Sequence, residues 1–185
     1  MKYILSIIFS TTTFYGLITT AHAEPQFVLE ARQVTTQYQD ELKTALLSAI
    51  ESGGPKKGVE VCKERAINIA QEVSEKSGWQ VSRVSLKARN TKNQPSEYER
   101  EILEQFEMSV ADGKSTQAME WWQSKSEQQI YMKAITTGGL CLTCHGENVD
   151  PELKEVILNN YPRDTATGFK LGDIRGAFVL ERSTN

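Results

Sequence analysis

The run AMEWWQSKSEQQIYMKAITTGGLCLTCHG, residues 118–146, decides the reading of this chain. Ala118 to Gln123 and Gln129 to Thr136 are two strand-like stretches rich in aromatic and β-branched residues. The polar Ser124-Lys125-Ser126-Glu127 lies between them, so the pair reads as an antiparallel hairpin. A hairpin that leads directly into a cysteine-rich turn points to an antiparallel α+β domain and away from a βαβ unit.

Working outward on the N-terminal side, apolar residues at Phe27, Ala31, Val34, Tyr38, Leu42, Leu46 and Ala49 recur at helical spacing until Gly53-Gly54-Pro55. A second helix is expected from about Val59 to Ser77, with Val59, Cys62, Ala66, Ile69 and Val73 on one face. Trp79 to Ala88 reads as a strand. Ser96 with Glu99 forms a capping box for a third helix reaching about Val110. On the C-terminal side, Asp150-Pro151 opens a short helix to about Asn159. Ile174 to Glu181 closes the sheet, with Ile174, Gly176, Phe178 and Leu180 on one side. The expected fold is an antiparallel sheet of four or five strands with helices packed on it.

The 185 residues, 39% hydrophobic and 24% charged, suit one globular domain. A formal net charge of −3 and a pI near 5.5 provide no basic surface for nucleic acid. Residues 1–23 read as a cleaved export signal: Lys2, an apolar stretch from Tyr3 to Ile18, then Ala21-His22-Ala23 as a small-x-small cleavage site. Ser6, Ser10 and Thr11 to Thr13 dilute the stretch too far for a span, which needs about 20 predominantly apolar residues. The expectation is a periplasmic domain of residues 24–185 with no membrane attachment. His22 leaves with the signal, so His145 is the only histidine of the mature chain, and no site needing two imidazoles can form within it.

Cys141-Leu142-Thr143-Cys144-His145 has the CxxCH spacing of a haem c attachment site. Two cysteines on one turn can each form a thioether with a haem vinyl group, and the adjacent imidazole can ligate the iron. The rivals are a structural disulfide, a thiol-disulfide oxidoreductase, which expects the pair to open a helix after a parallel strand, and zinc, which needs a further Cys/His pair. For the position opposite His145, the residues leave Cys62, Met108, Met119, Met132, a lysine amine, water or nothing. Each of the four named side chains can equally be core filler. An exported lone thiol is open to disulfide exchange unless it is buried or metal-bound, which favours Cys62. Arg83, Arg89, Arg163 and Arg175 form the pool from which the propionates would draw cations. No paired carboxylates, nucleophile and base, or phosphate loop stand out, so no enzyme is expected.

Several separate blocks together resemble one family: Val61-Cys62 and Ala66; Arg83-Val84-Ser85, Arg89-Asn90 and Asn93; Cys141 to Gly146; and Tyr161-Pro162 through Asp164, Ala166 and Gly168 to Gly172-Asp173-Ile174-Arg175-Gly176. It is the single-haem c-type domain with a PAS-like antiparallel sheet, found alone in the periplasm or as the exported sensor part of histidine kinases and chemoreceptors. The resemblance, spanning about Leu42 to Leu180, implies a haem pocket between helices and one sheet face, with His145 and Cys62 as axial ligands. Thr91 departs from the proline frequent after the Arg-Asn pair. With no kinase or receptor module in the sequence, the implied role is a haem-based redox or small-ligand sensor relayed through a partner protein, or alternatively an electron carrier.

Overall fold

The computed structural model describes residues 24–116 and 119–184; the expected signal segment and Ala118 of the hairpin lie outside the described residues. Among these, four helices surround one four-stranded sheet. The helices are α1 (Gln26–Ser77), α2 (Glu97–Ala111), α3 (Leu142–His145) and α4 (Pro151–Asn160). The strands are β1 (Gln80–Val84), β2 (Glu120–Lys125), β3 (Gln128–Thr136) and β4 (Ile174–Ser183). Their order is β1-β4-β3-β2, every neighbour antiparallel. The architecture is the α+β, PAS-like open sheet that the hairpin and the family resemblance imply.

The two helices expected before residue 78 are limbs of α1, joined across non-helical Gly53 and Gly54 with Pro55 restarting the helix. Both limbs pack on the same sheet face: Phe27, Val28, Ala31 and Tyr38 of the first and Ile69 and Val73 of the second join Val81, Tyr131, Phe178 and Leu180. On the other face, Ile102, Leu103 and Phe106 of α2 meet Val84, Met132, Ala134, Ile174, Ala177 and Val179. The period-2 alternation of each strand thus feeds two cores, and β4 is buried on both sides. The capping box is formed, with Glu99 accepting from the Ser96 backbone N–H at 2.7 Å.

The hairpin turns on Ser126-Glu127, tighter than the four polar residues imply, because Lys125 still pairs with Gln128. The first expected strand stops at Val84, four residues short of Ala88. Ser85 leaves the ladder, and its hydroxyl donates to Arg175 O at 2.6 Å.

One expectation for β4 is overturned. Ile174 does not share a face with Phe178 and Leu180; it packs with Ala177 and Val179 against α2. Thr136 pairs with Ile174 while Ile135 pairs with Gly176, so Arg175 is an extra residue that shifts the alternation. Gly176 permits this: its φ is +154°, and a Cβ there would lie 2.2 Å from Val84 O. Among the described residues no helix is long and apolar enough to cross a membrane.

Candidate functional site

The cysteine-rich turn is built by short-range geometry. A single 3₁₀ turn at Gly139–Cys141 runs into α3, and Gly146 N–H closes α3 on Leu142 O at 2.9 Å. A Cβ at residue 146 would sit 2.6 Å from that same carbonyl oxygen, so the residue after the histidine must be glycine. The segment returning from α4 clamps the turn: Phe169 N–H donates to His145 O and Gly168 N–H to Gly146 O, each at 3.0 Å. On the other side, Thr137 is bonded through both backbone groups to Gly172 and Asp173. The motif is thereby fastened to the end of β3 and the approach to β4.

His145 is fixed in one tautomer. Its Nδ1 lies 2.7 Å from Ala166 O; a carbonyl can only accept, so Nδ1 carries the proton and Nε2 keeps its lone pair. Burial, followed by the Arg175 and Arg89 cations, pulls its pKa down to about 2, so the ring is neutral. Phe169 meets the ring edge to face at 6.3 Å. A neutral imidazole with one nitrogen anchored to a backbone carbonyl and the other unprotonated is the arrangement of a metal-ligating histidine; here the unprotonated Nε2 accepts a long hydrogen bond from Arg175 Nη1 at 3.5 Å.

Cys141 and Cys144 are half-buried free thiols. Burial pushes the Cys144 thiol up against the opposing pull of Arg89. The turn follows an antiparallel hairpin rather than opening a helix after a parallel strand, so the oxidoreductase reading loses its geometry. Among the described residues no group of three or more His, Cys, Asp or Glu side chains could hold a metal ion.

Cys62 shares its helical stripe with buried Val59 and Ala66, yet is itself exposed. It is not a core residue. Val59 packs with Leu153, Ile157 and Tyr161, and Cys144 lies against the same cluster, so this part of α1 faces the cysteine turn. Beside it, burial pushes the Tyr161 hydroxyl up to about 12. The methionines are elsewhere. Met132 is buried in the α2 cluster with Met119 packed against it, so the sheet separates them from Arg175 and Phe178. Met108 is 59% exposed on α2.

The four arginines divide sharply. Arg89 is committed to structure: it donates to Cys144 O at 2.6 Å and pairs with Asp164, whose carboxylate also accepts from Ala166 N–H. It therefore steadies the carbonyl that orients His145. Arg163 is exposed and donates to Thr91 Oγ1 at 3.2 Å, the very position where the family resemblance breaks down. Arg83 stands over the Tyr38 ring at 6.0 Å. Arg175 reaches to 3.5 Å from His145 Nε2, and its Nε is enclosed with no partner among the described residues. Neither Arg83 nor Arg175 pairs with a carboxylate among the described residues.

Sequence reasoning missed two parts of this arrangement, the Ala166 carbonyl as orienter of His145 and Asp164 as partner of Arg89. Both lie in an irregular segment with no periodicity, where only the glycine punctuation at Gly168 and Gly172 marked a turn.

Fold and site together define a single α+β domain with a PAS-like sheet, bearing a CxxCH turn on the face covered by α1. The Tll0287-like family model matches residues 17–183, and the chain belongs to that family. The chain is also similar to the solved structure of the cyanobacterial haem protein Tll0287, with a TM-score of 0.61 and 26% identity over 85% of this chain and 96% of that one. Comparison with curated proteins gives no match.

Proposed function

We propose that this chain is an exported single-haem c-type cytochrome domain that works as a redox or small-ligand sensor and passes its state to a partner protein in the periplasm. The observation that carries the reading is neutral His145, whose Nδ1–H donates to the Ala166 carbonyl and leaves Nε2 unprotonated, on one turn with two free thiols at CxxCH spacing. Membership of a family whose solved member is a haem protein supports it.

The residues fit the group. The motif cysteines supply two thioether positions, His145 an imidazole, and the Arg175 guanidinium, which has no carboxylate partner among the described residues, a positive surround for an anionic macrocycle. A bound haem would supply a one-electron couple and an iron site open to small ligands. Cys62 is the proposed second ligand, supported by its exposed position on the α1 stripe facing the cysteine turn. With a haem bound, His145 and Cys62 would be the residues that hold its iron, and a thiolate donor would favour the ferric state. Weakening of the Cys62 donor on reduction or protonation would be the change that this reading has the protein sense.

A second reading, an electron carrier, draws on exposed Leu140, 43% accessible at the start of the motif, which brings the edge of the site to the surface. A reductive optical titration, repeated under carbon monoxide, separates the two. The sensor loses its thiolate and takes up the gas on reduction, whereas reversible reduction with no gas uptake establishes the carrier.

A further inference from the structure

We propose that Arg175, turned towards His145 by the bulge in β4, is the guanidinium that grips a propionate carboxylate of the bound haem. This deepens the reading above and rests on it. Regular alternation from Ala177 and Val179 would place residue 175 on the α2 face; the extra residue puts Ile174 there instead and turns Arg175 to the α1 face. The device is locked in place, since Ser85 Oγ donates to Arg175 O at 2.6 Å and Gly176 lies against Val84 O too closely for any side chain. A bulge beside a site commonly serves to re-aim a side chain.

What it aims is a cation short of an anion. Arg175 Nε is enclosed without a partner, Nη1 meets the neutral His145 Nε2 at 3.5 Å, and no carboxylate approaches the guanidinium within 4.0 Å among the described residues. Its charged neighbours include Arg83 and Arg89, which make the surroundings more positive still. A guanidinium with its Nε enclosed gains most from an anion of good geometry, and a carboxylate meets its planar fork in a bidentate pair. Arg89 cannot take this role, being held by Asp164 and Cys144 O, and Arg163 lies out at Thr91.

The test compares haem-bearing wild type, Arg175→Gln, Arg175→Lys and the exposed control Arg65→Gln. Two quantities are read, the midpoint potential and the propionate bending band in the resonance Raman spectrum. Removing the cation leaves the propionate charge uncompensated, so Arg175→Gln should shift the couple at least tenfold towards ferric iron, about 59 mV. Arg175→Lys keeps the charge and should hold the potential within about threefold, yet it loses the fork and should still move the band. The control should move neither. An unmoved band in Arg175→Lys overturns the assignment, whether or not the Gln variant folds. A wild type without covalent haem would instead overturn the reading of the whole site, and the proposal with it.

Discussion

Under the proposed ligation, Cys62 is the side chain that would separate this domain from a His/Met cytochrome. Thiolate donates more strongly than thioether and brings a negative charge, so the ferric form gains. Cys62→Ser should therefore raise the midpoint potential by at least about 59 mV, a tenfold change in the equilibrium, and change the ferric low-spin spectrum. Met119→Leu and Met132→Leu should leave that spectrum as it is, because both side chains pack on the α2 face of the sheet. A Cys62 variant with the wild-type ferric signal, beside a methionine variant that loses it, would contradict the assignment. In the sequence, Cys62 is favoured over the three methionines only by the exposure of a lone exported thiol and by the family resemblance, since spacing carries no information about which sheet face a residue meets. The two cysteines and His145 needed no such information; their chemistry follows from adjacency on one turn.

Among the elements, β2 is joined to the start of α1 by a small charge network. Arg32 donates to Glu120 at 3.0 Å and also pairs with Glu24, while Tyr131 OH donates to Glu120 at 2.7 Å. The Arg32 hydrogen bond, opposed by burial and helped by Tyr131, holds the Glu120 carboxyl below its ordinary value of 4.5. A depressed folded-state pKa means stability that is present above the unfolded value and lost as pH falls through the folded one. Glu120→Gln should cost about 1 kcal/mol at pH 7, the scale of a partly exposed pair, lowering Tm by about 2–4 °C. The gap from wild type should close as the pH drops below 4.5; thermal scans at pH 7 and in mild acid would show a constant gap if the network contributed nothing. Element by element, helical spacing and the capping box were legible because they repeat locally. The bulge at Arg175 was not, although Gly176 inside a strand pattern was its one visible sign, because a register shift is a property of β3 and β4 together.

For the whole molecule, the sheet divides the labour. The α2 face is plain core, and the other carries, beyond the α1 core, the cysteine turn, Cys62 and the unpaired arginines. The α+β class and antiparallel sheet could be read from the hairpin at Glu120–Thr136, but the clamp of residues 164–173 on the motif could not, since irregular backbone has no period to read. Covalent attachment of one haem to this turn is tested by acid–acetone extraction of the purified protein. The colour should stay with the polypeptide, the intact mass should exceed that of the polypeptide alone by one haem, and Cys141→Ala with Cys144→Ala should abolish both. Colour that passes wholly into the solvent, leaving a polypeptide of unmodified mass, would refute the attachment.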